Sequence, residues 1–333
     1  MTDDQDEPST DRLVTLSDGV VAIAITLIIL GIQVPSPDAV HDPNSVSALA
    51  GLLSSTLPSW ISYVISFYVI AQFWLIHRRV FRGIRGNREG LAVWNFLFLL
   101  TISVMPFASD LVGRWAENPL SVIIFSANLI LANVAMYGML TFSRRHRLLN
   151  ERGVAELERY QSLEGGISIS FYLLAIPVAL VSPDVAKLCW AGLAIAPRLA
   201  SMITKRRGDR LAVWNFLFLL TISVMPFASD LVGRWAENPL SVIIFSANLI
   251  LANVAMYGML TFSRRHRLLD ERGVAELERY QSLEGGISIS FYILAIPVAL
   301  VSPDVAKLCW AGLALAPRLA SMITNRRGNR PAA

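Results

Sequence analysis

Blocks of about 20 apolar residues recur along this chain, each long enough to cross roughly 30 Å of hydrocarbon as an α-helix. Lipid offers no partner for exposed backbone polar groups, so spanning segments are helices or closed barrels. Barrel strands alternate polar and apolar residues. These blocks do not alternate, which leaves an all-α integral membrane protein. Hydropathy places spans at 13–34, 47–76 (with Pro58 near its start), 91–109, 119–142, 164–182 and 184–204. Four more follow at 211–229, 239–262, 284–302 and 304–324, which makes about ten. Charged residues make up 16% of the 333 residues, against about 25% in soluble domains.

The net charge of +4 does not point to nucleic acid, because its placement is that of a membrane protein. Arg78, Arg79, Arg82, Arg85 and Arg88 lie between the second and third spans, and Arg144, Arg145, Arg147 and Arg152 between the fourth and fifth. Lys205, Arg206, Arg207 and Arg210 follow the sixth, whereas the loop 35–46 holds Asp38 and Asp42 and no cation. This alternation predicts a cytoplasmic N-terminus and, with an even number of spans, a cytoplasmic C-terminus in a plain cell membrane. Residues 1–11 carry Asp3, Asp4, Asp6, Glu7 and Asp11. They lack the basic start of a signal peptide and read as a disordered acidic tail.

Residues 91–210 recur at 211–330 with five differences in 120 positions: Asn150/Asp270, Leu173/Ile293, Ile195/Leu315, Lys205/Asn325 and Asp209/Asn329. The cysteines, Cys189 and Cys309, are one position in two copies and imply neither a disulfide framework nor a metal site. The first two spans have no second copy. The working unit is therefore expected to be 12–210, with 211–330 as an appendage of four further helices.

Two features of the first span carry chemistry. Asp18 sits in the first turns of an apolar helix, where an ionised carboxylate calls for a partner. Arg12, six residues earlier, shares no close helical face with it, so the partner must come through a bend at Gly19 or from another helix. The second feature is a stripe: Val20, Ile23, Leu27, Leu30 and Val34 are spaced 3, 4, 3, 4, the seam of a helix that meets its symmetry mates. Thr26 lies beside it. Around an axis, such a stripe forms stacked apolar rings that gate ions by dewetting. The same spacing also suits ordinary lipid-facing packing. His77, Trp94 and Asn95 join Arg12 and Asp18 at the cytoplasmic depth. There they form either a hydrogen-bonded network or a set of interfacial anchors.

The run Arg12-x-x-x-Leu16-Ser17-Asp18-Gly19, followed by Ala22-Ile23-Ala24-Ile25-Thr26-Leu27, resembles the RxxxFSDG first helix of the TMEM175 potassium-channel family, with Leu16 in place of Phe. Trp94-Asn95, Leu99-Leu100, Ile102-Ser103 and Pro106-Phe107 are similar to that family's third helix, and His77-Arg78 to the end of its second. The resemblance covers 12–205. It implies a six-helix unit, a homotetramer in the bilayer, and a K⁺ pore lined by the first helices without a TVGYG filter loop. It further implies an apolar constriction at Ile23, Leu27 and Leu30, a hydroxyl layer at Thr26, and a structural network of Arg12, Ser17, Asp18, His77, Trp94 and Asn95. No cofactor beyond the permeant ion is implied, and no catalysis. The chain has four histidines and neither HExxH nor GxSxG. The rival readings are a secondary transporter that uses Asp18 to couple an ion or proton, and a non-conducting membrane scaffold.

Overall fold

The computed structural model describes residues 10–86, 88–159, 165–187, 190, 210–265 and 285–311. All regular structure among them is helical, apart from an isolated bridge between Ile84 and Leu149. Helix α1 runs Asp11–Leu27 and tightens into a 3₁₀ turn, Ile28–Gly31. Ile32 is already extended, with φ −88° and ψ 106°. The first span therefore stops at Gly31 rather than at 34. Asp11 in its first turn complements the helix dipole.

The expected second span, 47–76, is two helices. α2 covers Val46–Ser55 and α3 covers Leu57–Arg82. Pro58 is the reason: inside a continuous helix its ring would collide with the carbonyl of Ser54, whereas the first turn of a new helix accepts it. α3 ends on Arg79 and Arg82, cations that suit a helix C-terminus. α4 (Glu89–Arg114) and α5 (Pro119–Arg145) form an antiparallel pair. Between them, Asn118 caps α5 by accepting from the Leu120 amide at 2.9 Å. A nine-residue amphipathic helix, α6 (Glu151–Arg159), follows, and then α7 (Gly165–Val181). The second copy supplies α8 (Arg210–Arg234), α9 (Pro239–Arg265), α10 (Gly285–Ala299) and α11 (Pro303–Ala311).

Among the described residues, six helices are long and apolar enough to cross a membrane: Asp11–Gly31, Leu57–Arg82, Glu89–Arg114, Pro119–Arg145, Val213–Arg234 and Pro239–Arg265. Ile169–Val181 and Ser288–Ala299 are shorter apolar helices at the expected spans 164–182 and 284–302. Most of the expected spans 184–204 and 304–324 lies outside the described residues.

The chain forms two compact units. One holds α1 and everything described from Thr56 to Trp190; the other holds Gln33–Ser55 with the residues from Arg210 onward. In the first unit, α4 lies between α5 on one side and α1 with α3 on the other. Close approach follows from small residues, as is usual between membrane helices: a Cβ on Gly138 would collide with the Trp94 ring, and one on Gly90 with Phe142. Polar pairs stitch the same faces together. The Ser62 hydroxyl donates to the Ser109 carbonyl at 2.7 Å, and Asn128 Nδ2 to the Thr101 carbonyl at 3.0 Å.

The second unit repeats the local contacts of α4 and α5. Asn248 Nδ2 donates to the Thr221 carbonyl at 3.0 Å, and Gly258 meets Trp214 as Gly138 meets Trp94. It has no counterpart of α1 or α3. Instead the strap Gln33–Ser55 closes its end: Trp235 Nε1 donates to the Pro35 carbonyl at 2.9 Å, and Asn238 Nδ2 to Pro43 and Ser45 carbonyls at 2.8 and 3.1 Å. The strap falls inside the expected 12–210 unit by sequence and inside the second compact unit by contact.

Candidate functional site: the anchored first helix

α1 has two apolar faces with different fates. Leu13, Ser17, Val21, Ala24, Ile25, Ile28 and Ile29 are buried, packed toward α3 and α4. The other face carries Leu16, Ile23, Leu27 and Leu30, which are 44%, 60%, 43% and 61% exposed within the chain. The expected stripe therefore holds from Ile23 to Leu30. It fails at Val34, which is buried, because the helix has ended three residues before it.

The buried face is fixed by a polar chain with a consistent direction of donation. Ser17 Oγ donates to the Leu13 carbonyl at 2.7 Å and accepts from Asn95 Nδ2 at 3.1 Å. Asn95 Oδ1 takes its hydrogen from His77 Nε2 at 2.8 Å. An amide oxygen can only accept, so His77 is protonated on Nε2. All three side chains are fully buried. The imidazole is clasped between Phe98, stacked at 5.2 Å and 15°, and Phe81 at 4.4 Å. One turn before His77, Trp74 Nε1 donates to Asp18 Oδ1 at 2.7 Å, and the guanidinium of Arg78 lies 4.6 Å from the Trp74 ring centre. The carboxylate that needed a partner thus finds one across helices.

Ser17, Asp18, His77 and Asn95 gather as expected. Trp94 packs on Gly138 of α5 instead, and Arg12 is exposed with no ion pair among the described residues. Trp74 was not anticipated. Its signal was its spacing, three residues from His77 and so on the same face of α3. In the repeat, Asn215 occupies the position of Asn95 but is only half-buried, since no Ser17 or His77 accompanies it. The anchor exists once per chain.

On the open face, the Thr26 hydroxyl lies 3.1 Å from the Ala22 carbonyl and 2.9 Å from the Ile23 carbonyl. Its proton is committed to the backbone, so the oxygen lone pairs are what Thr26 offers outward.

A bundle of membrane-spanning helices, with its first helix pinned by buried hydrogen bonds on one side and left bare on the other, defines a class of multi-pass membrane proteins. Comparison with known proteins narrows it. Residues 12–106 match the family model of the endosomal/lysosomal potassium channel TMEM175. A potassium channel of Streptomyces collinus is 30% identical over 178 residues, which are 51% of this chain and 82% of that one. A potassium channel of Chamaesiphon minutus is 33% identical over 119 residues, 36% of this chain and 57% of the relative's length. The human endosomal/lysosomal proton channel TMEM175 is 34% identical over 120 residues, 35% of this chain and 24% of that one. The crystal structure of a lysosomal potassium-selective TMEM175 homologue from Chamaesiphon minutus aligns with a TM-score of 0.49 at 25% identity, covering 58% of this chain and 97% of that chain. The chain belongs to the TMEM175 potassium-channel family.

Proposed function

We propose that this chain is a potassium-selective cation channel. Copies of α1 line its pore, Ile23, Leu27 and Leu30 form an apolar constriction, and Thr26 adds a layer of hydroxyl oxygens. One observation carries the reading: the outward face of α1 is left exposed among the described residues, while its opposite face is locked by Ser17, Asn95 and His77. A helix held that firmly from behind presents a fixed surface in front. Four such surfaces around an axis, as in a homotetramer, enclose stacked apolar rings that admit ions only when wetted. Engagement of Asp18 by Trp74 favours a holding role for the carboxylate over ion coupling. The grouping of arginines at the ends of α3 and α5 supports a cell-membrane protein with both termini in the cytoplasm.

The working unit on this reading is 12–210, since the second copy lacks α1, α3 and the anchor. A chain truncated after Arg210 is expected to assemble and conduct as the full chain does. K⁺ flux from proteoliposomes, together with the mass of the purified oligomer, checks this. A folded, inserted but silent truncation would show that 211–330 is part of the channel. The function itself is tested by K⁺ uptake into liposomes holding the full chain with Na⁺ as competitor. A K⁺-preferring flux supports it, and no flux from inserted protein removes it.

A further inference from the structure

The turn Gly83–Arg88 joins α3 to α4, and the turn His146–Asn150 joins α5 to α6. They are far apart in sequence, and the backbone fastens them together. The Arg85 amide donates to the Leu148 carbonyl at 2.7 Å, the Asn150 amide to the Gly83 carbonyl at 2.9 Å, and Asn150 Nδ2 to the Arg82 carbonyl at 3.2 Å. Gly83 and Gly153 touch so closely that a Cβ on either would collide with the other's backbone. Arg147 holds a left-handed φ of 58°, uncommon for a residue with a side chain, and Gly86 a φ of 76°.

This fastening concentrates charge. Segments 78–89 and 144–152 hold nine arginines against two carboxylates, a formal excess of seven. Two arginines have partners: Arg79 Nε is 2.9 Å from Glu156 Oε1, and Arg78 lies on Trp74. Arg82, Arg85, Arg88, Arg144, Arg145 and Arg147, and Arg152 in α6, are exposed and make no ion pair among the described residues. Like charges held this close repel, and the backbone bonds hold them there regardless. An arrangement of this kind is stable when anions sit between the cations.

We propose that the two turns, with the last turns of α3 and α5 that run into them, form one docking platform for anionic phospholipid headgroups of the cytoplasmic leaflet. Three spans begin or end here (α3, α4 and α5), which sets its six exposed guanidinium groups at headgroup depth. The residue type suits phosphate: a guanidinium binds two phosphate oxygens in parallel, which an ammonium cannot. None of the three lysines of the chain lies in either turn. The platform belongs to the first unit and is independent of what the pore conducts.

The test uses the full chain in phosphatidylcholine vesicles containing spin-labelled phosphatidylglycerol or spin-labelled phosphatidylcholine. The fraction of each label immobilised by the protein is measured. The expected result is a several-fold preference for phosphatidylglycerol that is lost in Arg85→Gln/Arg147→Gln, since a single arginine near the surface is worth roughly fivefold. Arg85→Lys/Arg147→Lys is expected to retain much of it, and Arg114→Gln, at the other end of α4, all of it. If the double variant does not fold, Arg144→Gln, in the last turn of α5 and outside both turns, takes its place. Equal immobilisation of the two lipids by the native protein overturns the proposal, as does a preference that survives the glutamine variants. Loss of the preference on adding micromolar tripolyphosphate also overturns it, by assigning the platform to a soluble anion.

Discussion

Replacing Ile23 with asparagine is expected to raise cation flux and lower the preference for K⁺ over Na⁺. Ile23 is 60% exposed on the bare face of α1, one turn before Leu27. In a ring of symmetry-related copies it forms the entrance to an apolar stretch that costs each ion part of its hydration. An amide there supplies the ligands that water would otherwise have to bring. Relief of about 1.4 kcal/mol of such a barrier is worth roughly tenfold in rate, so the change in liposome K⁺ efflux is expected to be tenfold or more. The side chain is 60% exposed, so the substitution removes little packing within its own unit. Flux and ion preference identical to the native protein would take Ile23 out of the conduction path.

Asn95→Ala is expected to cost about 2 kcal/mol, since a buried donor or acceptor left unpaired costs about 1–3 kcal/mol. His77 Nε2–H loses its acceptor at 2.8 Å and is left unpaired, while Ser17 Oγ loses a donor at 3.1 Å but keeps its bond to the Leu13 carbonyl. The chain provides its own control. Asn215 has the same local sequence and is only half-buried without those partners, so Asn215→Ala is expected to cost about 0.5 kcal/mol or less. Unfolding of the two variants in mixed micelles, followed by tryptophan fluorescence, measures the difference. The Asn95 variant is also expected to lose oligomer and total flux while its remaining current keeps the native ion preference. Equal costs at the two positions would mean that the Ser17–Asn95–His77 chain does not hold α1.

The helical, membrane-spanning character of the chain was legible in the sequence because bilayer thickness fixes the length of an apolar block. Boundaries were less so. Hydropathy reads straight through Ser55 and Thr56, since neither breaks an apolar run, and only the steric demand of Pro58 separates α2 from α3. Val34 keeps the heptad spacing of Ile23, Leu27 and Leu30, but spacing carries no information about where a helix stops. Asp18, His77 and Asn95 were recognisable because polar groups in an apolar helix must find partners, and Ser17 through the resemblance of the first helix. Which partner each one found depends on how three helices pack, and so Trp74 emerged only from the structure. The stapling of the two arginine turns was invisible for a related reason: it rests on backbone groups of Gly83, Arg85 and Leu148, which any sequence possesses.

The strap Gln33–Ser55 has a consequence for the order of events during synthesis. Its anchoring residues in the second unit, Trp235 and Asn238, are repeated without change as Trp115 and Asn118 in the first. Trp235 is 2% exposed under the strap, whereas Trp115 is 59% exposed. One strap thus faces two sockets of the same chemistry, and they leave the ribosome 120 residues apart. At about 5–20 residues per second, the Trp115 socket is on offer alone for roughly 6–24 s before its rival exists. The occupied socket is nevertheless the later one. Any early engagement of the strap with Trp115 and Asn118 would therefore have to be released for the arrangement around Trp235 and Asn238 to form.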